Sequence, residues 1–335
     1  MPSKVFVDST AAHGLSTTLA AALDWIELRK FLTPGARVFV KPNFTYPTYK
    51  EGITTSPPVI EETVKLLTDF GAKVTLVESN GGNNAWLAEE SFASHNLPYL
   101  HDKYGANIIN LSNAPREWAE TTIGSKHVRV ELPSVLLHES DLFVTLPVPK
   151  VHVMTRISYA FKNQWGCIPV VKRFLYHPGF ESNVLAVNKL LKTKIAIYDG
   201  TFFLDRTGPM EGDAVPMNLI IAANDPGAGD LVCCELMGVA PRQVKHLRLA
   251  QKVGMMPTSL GEVALNKSLD QFKTHRFALQ RTLKNYVQLI AFNSGFVLRM
   301  VANPVIAKPI YKVFYGIFGR PQITDSESAM TLPSE

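Results

Sequence analysis

The stretch AFKNQWGCIPVVKRFLYHPG, residues 160–179, places a lysine, a thiol, an indole and a histidine among apolar residues. Lys162 and His177 are side chains that can bind anions, exchange protons or, for histidine, ligate metals. This combination indicates either one wall of a binding site or a basic surface loop with a few packing residues. In the second case Lys162 and Asn163 would belong to a helix cap, and His177 would be a turn residue.

The elements that would position these side chains follow an alternating pattern of strands and helices. The runs ARVFVKPN (36–43) and DLFVTLPVPK (141–150) have the β-branched and aromatic content of buried strands. Between 56 and 72 apolar residues recur at helical spacing, and the run KVTLVESNGG (73–82) follows as the next strand. The sequence therefore predicts an α/β fold with a mainly parallel sheet flanked by helices.

Polar residues collect at the predicted carboxyl ends of the strands, where open α/β sheets bind ligands. They are Lys41, Asn43, Glu78, Ser79, Asn80, Gly81, Gly82, Lys150, His152 and Asp199. Lys41 and Lys150 directly extend apolar strands, so each cation would need a counter-charge or an anionic ligand. The pair Gly81-Gly82 would let backbone amides approach an anion closely. The alternative is that polar residues at strand ends simply belong to solvated loops.

The charge of the chain is distributed unevenly. The formal net charge is +5, yet residues 271–324 contain no Asp or Glu and eight Lys and Arg among many large apolar residues. This pattern predicts a basic helical segment that lies on an anionic membrane, or a helical pair that packs on the main domain. Arg299 lies inside the apolar run and disfavours a transmembrane span. Interleaved aliphatic residues and the lack of a recognition motif disfavour nucleic-acid binding.

The expected organisation is an α/β domain over 1–265, the basic helical segment over 266–324 and a flexible polar tail over 325–335. The first ten residues lack the apolar region of a signal peptide. Three cysteines, two of them adjacent, form neither a disulfide framework nor a spaced zinc site. A reducing, cytoplasmic location is therefore expected, with the basic segment as a peripheral membrane contact.

Four ordered stretches resemble the family known as domain of unknown function 362. They are VKPNFTYPTYKEGITTSPPVIEETVKLLTDFGAKVTLVESNGG, LPVPKVHVMTRISYAFKNQWGCIP, IAIYDGTFFLDRTGPMEGD and NDPGAGDLVCCELMG, which together span about 36–255. Some members of that family are fused to iron–sulfur modules, which implies redox or metal chemistry. Three cysteines cannot supply a four-cysteine cluster in this chain.

The layout is also similar, more distantly, to the nickel-dependent lactate racemase family. This resemblance implies that His152 is an acid–base histidine, that Lys162 tethers a nickel-carrying nucleotide-derived cofactor and that His177 binds the metal. The chain departs from the pattern at two places. Residues 78–80 stand where that family has a second acid–base histidine, and residues 158–161 replace the glycines before the lysine.

These residues together predict an enzyme that acts on an anionic small molecule by redox or proton transfer. The expected catalytic residues are His152, Lys162 and Lys41, with His152 as general acid or base because the reference pKa of histidine lies near neutrality. The expected substrate-binding residues are Asn43, Lys150, Ser79, Asn80, Gly81, Gly82, Asn163 and Asp199.

A metal is expected at the same rim. Glu78, His152 and His177 would form a two-histidine, one-carboxylate site, which suits a divalent transition metal such as iron or nickel. The alternative function is a non-catalytic, membrane-associated protein that binds an anionic ligand.

Overall fold

The computed structural model describes residues 3–303, 305–307, 309 and 312. The predicted tail over 325–335 and the end of the basic segment lie outside the described residues. The strands are β1 (Ser3–Ser9), β2 (Arg37–Pro42), β3 (Lys73–Glu78), β4 (Asn107–Asn110), β5 (Arg116–Ile123), β6 (Lys126–Pro133), β7 (Leu142–Leu146), β8 (Lys150–His152), β9 (Arg156–Ser158), β10 (Ile195–Asp205), β11 (Asp213–Ala223) and β12 (Val263–Leu265). The α-helices are α1 (Thr10–Trp25), α2 (Pro57–Asp69), α3 (Ala88–Ser94), α4 (Leu97–Tyr104), α5 (Ser134–His138), α6 (Ala160–Asn163), α7 (Phe180–Leu190), α8 (Pro226–Met237), α9 (Lys245–Lys252), α10 (Leu283–Asn293) and α11 (Gly295–Ala302).

The predicted mainly parallel sheet is confirmed. Its main path in the described chain runs β12-β1-β11-β10-β7-β2-β3-β4. The neighbours β10–β7, β7–β2, β2–β3 and β3–β4 are parallel, as are β1 and β12, whereas β11 is antiparallel to both of its neighbours. The short strand β8 pairs with β10 and, on its other edge, with β9. Strands β5 and β6 form a separate antiparallel hairpin.

Both faces of the sheet are covered, as expected for parallel strands. Along β2 the side chains alternate, so Val38 and Val40 pack with α1 and α2 on one face, whereas Phe39 packs with α7 and α8 on the other. Lys41 comes two residues after Phe39, so its side chain lies on the same face of the sheet. Its ammonium contacts Asn163 of α6 there. The alternation thus turns the lysine at the strand end inward, beneath α6.

The expected helical C-terminal segment is present as α10 and α11. Both helices pack against a 3₁₀ helix, Arg173–Gly179, which belongs to the basic and aromatic stretch 160–179. Within the described residues, no helix combines the length and the apolar content that crossing a bilayer requires.

Candidate functional site

Five of the predicted site residues form one continuous buried network. The Lys41 ammonium donates to Glu78 Oε2 over 2.7 Å and lies 3.4 Å from Asn163 Oδ1. Asn43 Nδ2 donates to the same Asn163 oxygen over 2.9 Å, and Lys150 Nζ donates to Asn43 Oδ1 over 2.6 Å. The carboxyl ends of β2 and β3 therefore do converge, as parallel strands require, and α6 and β8 complete the set.

The Lys41–Glu78 pair is the most deeply enclosed ion pair among the described residues, with side chains 2% and 5% exposed. Glu78 Oε1 also accepts from the backbone N–H of Ser79. Gly166 packs so closely on the pair that a Cβ there would lie 2.7 Å from both Glu78 Oε1 and Lys41 Cε. This close approach explains the glycine in the stretch QWGC, because any larger residue would push against the buried charges.

Lys150 is fully buried, and its ammonium donates to Asn43 Oδ1 and to the carbonyl of Ile53. Burial lowers the pKa of Lys150 well below its usual range, and the nearby charges of Lys162 and Lys41 lower it further. Asp199 opposes this shift but does not remove it. Lys150 therefore has two hydrogen-bond acceptors among the described residues, yet its charge is only weakly compensated.

Lys162 is held in place by the short helix α6. Asp230 of α8 accepts hydrogen bonds from the N–H groups of Ala160 and Phe161, and the Tyr198 hydroxyl donates to the same carboxyl. Burial raises the pKa of Asp230 to about 7 against these hydrogen bonds. Asp230 thus fixes the first turn of α6, and that turn sets the direction of Lys162.

The Lys162 side chain is half-buried and makes no hydrogen bond or ion pair with any residue that the structure describes. Its pKa is lowered to about 7, first by removal from water and then by the charge of Arg173. The charge of Lys162 in turn lowers the pKa values of Lys150 and of three histidines, which are His152, His177 and His246. Among the described residues Lys162 is therefore a cation without a counter-charge, and other basic groups lie around it.

His152 lies at the end of β8 and is 7% exposed. Its Nδ1 accepts the backbone N–H of Met154, so in the neutral ring the proton resides on Nε2. Burial, followed by the charges of Lys162 and Lys150, lowers the pKa of His152 well below its usual range. At neutral pH His152 is consequently an uncharged imidazole that presents Nε2–H as a donor.

His177 forms another wall of the cluster, in the 3₁₀ helix Arg173–Gly179. The Phe174 carbonyl accepts from Nδ1 over 3.0 Å, which leaves Nε2 without a proton in the neutral ring. Burial lowers the pKa of His177 to about 4, and the charges of Lys162 and Arg173 contribute. His177 does bond the backbone like a turn residue, but it also faces the basic cluster.

The remaining predicted rim residues have mainly structural contacts. Asp199 accepts the N–H groups of Ser56 and Thr201 and so fixes the start of α2. Ser79 Oγ donates to the Gly166 carbonyl, and Asn80 Oδ1 accepts from the backbone N–H of Ala88. These contacts shape the rim, and the structure brings these residues next to the cationic network rather than into it.

Gly81 does not contribute its amide to the predicted Gly81-Gly82 cradle. The N–H of Gly81 donates to the Trp86 carbonyl over 2.9 Å, and a Cβ at Gly81 would lie 2.5 Å from the Trp86 ring. Gly82 is exposed, with open space around its Cα. Gly81 is thus required by the packing of an indole, and its amide is not available to an anion.

The residues present do not fit the predicted metal site. In the part of the chain that the structure describes, no three His, Cys, Asp or Glu side chains converge as ligands, so Glu78, His152 and His177 are not assembled around one point. Glu78 is occupied by Lys41 and by the Ser79 amide, and a neighbouring ammonium disfavours a second cation. The iron or nickel site stays a prediction.

Sequence reasoning missed two members of the cluster. Arg173 donates to Ser79 Oγ and to the Asn80 carbonyl, and burial lowers its pKa. His246 of α9 is 2% exposed, its Nε2 has no partner among the described residues, and burial lowers its pKa to about 3. Arg173 stands within the stretch 160–179 and could have been selected there, whereas His246 has no local signal and reaches the cluster only through the fold.

Comparison with known proteins gives a family but no activity. A family model described as "Domain of unknown function (DUF362)" matches residues 38–235. The chain is 24% identical over 239 residues to a protein of Synechocystis sp. named "Thylakoid-associated protein sll1697", and the match covers 68% of this chain and 71% of that protein.

Solved structures are also similar, and one of them is a crystal structure of a protein from Thermotoga maritima. It is 12% identical, with a TM-score of 0.40, and the match covers 60% of this chain and 53% of that one. The match thus spans about half the length of the Thermotoga protein. None of these matches bears on the more distant resemblance to the nickel-dependent lactate racemase family, which stays a prediction.

Proposed function

Because the chain belongs to the DUF362 family, whose description names no activity, we propose a function from the site itself. We propose that the rim is the active site of an enzyme that binds an anionic small molecule and transfers a proton. Lys162 carries this proposal, because it is half-buried, unpaired among the described residues and surrounded by other basic groups.

The need for an anion follows from the balance of charges. Lys41 is neutralised by Glu78, and Asp199 is occupied by two backbone amides. Arg173 and Lys162 have no carboxylate bound to them among the described residues, and burial lowers the pKa of both. A carboxylate or phosphate between Lys162 and Arg173 would supply the missing charge and restore the protonated lysine.

The sequence predicted His152 as the general acid or base, whereas we assign the proton transfer to Lys162. A lysine with a pKa of about 7 is present at neutral pH both as an amine that accepts a proton and as an ammonium that donates one. His152 stays neutral there and offers Nε2–H to an oxygen that gains negative charge. Proton transfer, one of the two reaction types expected from the sequence, is the one that these side chains supply by themselves.

The first prediction concerns the titration of Lys162. After reductive ¹³C-methylation, one lysine methyl resonance, in addition to that of the α-amino group, is expected to titrate near pH 7 in an NMR titration, since Lys162 has a pKa of about 7. Saturating inorganic phosphate or acetate should shift that titration upward by about one pH unit, because a bound anion favours the charged amine.

Two variants give the assignment and the control. Lys162→Arg should remove the resonance, whereas Lys194→Arg, a change at an exposed lysine, should leave it in place. If no lysine titrates near pH 7, or if neither anion moves the titration, the proposed site is contradicted.

A second function is favoured by the surface of α10 and α11. We propose that these helices attach the protein to an anionic membrane surface. The relative from Synechocystis is named as thylakoid-associated, which is in keeping with a membrane contact in this family. The two functions are compatible, because the attachment and the rim involve different surfaces.

Helix α10 is turned with its apolar side outward. Its apolar residues at i, i+3, i+4 and i+7 are Leu283, Tyr286, Val287 and Ile290, which are 72%, 52%, 40% and 72% exposed. On α11, Phe296 is 74% exposed and lies one turn from the exposed Arg299. A continuous apolar stripe beside basic residues, in a stretch without Asp or Glu, has the charge and shape that favour an anionic bilayer.

The second prediction tests this surface in the full chain. The double variant Leu283→Ser with Ile290→Ser should bind phosphatidylglycerol-containing vesicles on the order of 10- to 100-fold more weakly in a flotation assay, because two apolar anchors are lost. Both side chains are exposed, so folding should not change. Added salt should weaken binding of the native protein as well.

The matched control is Leu87→Ser. This change removes an exposed leucine that directly precedes α3 and is distant in sequence from α10 and α11. Equal binding by the double variant and the native protein would exclude this surface as the membrane contact. Equal binding of native protein to neutral phosphatidylcholine vesicles would exclude the role of charge.

A further inference from the structure

The proposed membrane surface and the proposed active site share one structural element. Helices α10 and α11 pack against the 3₁₀ helix Arg173–Gly179. The Phe292 ring of α10 lies 4.8 Å from the His177 ring, and Lys172 Nζ, just before the 3₁₀ helix, donates to the Ala302 carbonyl at the end of α11. The outward apolar stripe of α10 is thus separated from this helix only by the thickness of α10 itself.

The same 3₁₀ helix forms a wall of the cationic cluster. Arg173 at its beginning donates to the Asn80 carbonyl at the carboxyl end of β3 and lowers the pKa of Lys162. Arg173 also donates to Ser79 Oγ over 3.2 Å, and the charge of Lys162 lowers the pKa of His177 at the other end of the helix. The helix therefore contacts α10 and α11 on one side and the site on the other.

Aromatic rings connect the two sides. The His177 ring lies 5.2 Å from the ring of Trp165, three residues after Lys162, and 5.7 Å from the ring of Phe180. From the same His177 the contact continues to Phe292 of α10. A series of ring contacts thus runs from Trp165, three residues after Lys162, to the helix whose outer side is apolar.

We infer that the molecule bound at the rim is an anionic amphiphile, with its head group between Lys162 and Arg173 and its apolar chain along the rings of Trp165, His177 and Phe292. This inference rests on the proposed function, since it assigns a substrate class to the same site. Cations alone would select any small anion, but cations bordered by rings and by a membrane-facing helix select one that carries an apolar chain. Such a molecule partitions into the bilayer, which places it at the surface that α10 and α11 contact.

The test compares probes that share a head group and differ in chain length. Binding of octyl phosphate and inorganic phosphate, and of octanoate and acetate, is measured by isothermal titration calorimetry below micelle-forming concentrations. The eight-carbon probe of at least one pair should bind on the order of 100-fold more tightly, the gain expected when about half of its methylene groups leave water.

Three variants locate the binding. Lys162→Met should weaken both members of a pair at least about 10-fold, because the head group loses its cation. Phe292→Ser should weaken only the eight-carbon probe, whereas Leu87→Ser, a change at an exposed leucine outside both the rim and the membrane surface, should not. Trp165→Leu serves as a second chain-side variant if Phe292→Ser unfolds in a circular-dichroism melt.

The outcomes separate the inference from the proposed function. Equal affinity for long and short probes, with loss in Lys162→Met, overturns the amphiphile and keeps the anion site. Long-chain binding that is lost in Ile290→Ser but not in Lys162→Met means that the probe adheres to the outer stripe of α10, and it overturns the inference too. Failure of all four probes to bind contradicts the proposed function itself.

Discussion

Replacing Glu78 with alanine is expected to lower the free energy of unfolding by about 3–5 kcal/mol, because it leaves the Lys41 ammonium buried without its counter-charge. The remaining partners of Lys41 are the Pro42 carbonyl at 3.0 Å and Asn163 Oδ1 at 3.4 Å, which are dipoles and not charges. The measurement is urea denaturation of the native protein and the variant at pH 7, followed by circular dichroism.

A double variant tests whether the loss of stability comes from a buried charge that has lost its partner. Lys41→Met combined with Glu78→Gln removes both charges and keeps the volumes, which matters because Gly166 leaves no spare room beside the pair. This variant should recover at least half of the loss, since well-packed neutral residues replace a buried pair at little cost. If the losses measured for Lys41→Met alone and Glu78→Gln alone simply add up to the loss of the double variant, the pair is not coupled in the way that the structure indicates.

An exposed ion pair provides the control for burial. Lys65 Nζ and Asp69 Oδ2 lie 2.8 Å apart, one turn from each other on α2, with side chains 43% and 57% exposed. Asp69→Ala should cost no more than about 1 kcal/mol, because water screens the charge that is left behind. A similar cost at Glu78 and Asp69 would show that the Lys41–Glu78 pair is not enclosed.

Replacing Lys162 with methionine is expected to remove anion binding and, at the same time, to stabilise the fold at low pH. The pKa of Lys162 is about 7 in the folded chain and 10.5 as the reference value, so folding disfavours the protonated form. The resulting penalty is present in full below pH 7 and disappears as the pH rises toward the reference value. Methionine keeps the apolar stem and carries no such penalty.

At pH 6 the free energy of unfolding of Lys162→Met should therefore exceed that of the native protein by roughly 2 kcal/mol. The full shift would correspond to about 5 kcal/mol, and partial exposure of the side chain reduces it. Denaturant titrations from pH 6 to pH 10 measure the difference, which should shrink as the pH increases. If the difference in the free energy of unfolding stays constant with pH, Lys162 has an ordinary pKa and is not the proton-transfer group that we propose.

The same variant connects stability with function. A residue whose removal stabilises the protein serves another purpose, and the function we propose gives Lys162 that purpose, the binding of an anion. Lys194→Met, at an exposed lysine, should change neither the stability at pH 6 nor the affinity for phosphate or acetate. Stabilisation together with unchanged anion affinity in Lys162→Met would separate the buried charge from binding and contradict its role in the site.

The main strands, several of the helices and the edge where polar residues collect were all predictable from the order of the amino acids. Buried strands have to be apolar along their length, so β2, β3 and β7 are visible as runs, and their polar ends mark the rim. For the same reason the strand pattern alone assigns Lys41, Asn43, Glu78 and Lys150 to one edge of the sheet. The family could also be identified from the four ordered motifs, and a family model matches residues 38–235.

The packing of the folded chain decides which of those residues bond to each other and which have no partner among the described residues. Glu78 is bound by Lys41, the Gly81 amide is bound by Trp86, and Asp199 is bound by the start of α2, so three expected ligand-binding groups are already occupied. Lys162 remains, and its pKa of about 7 arises from burial and from Arg173 rather than from its sequence neighbours. Hydrogen bonding and desolvation depend on distances between residues far apart in the chain, and helical periodicity alone could not tell that α10 turns its apolar stripe outward.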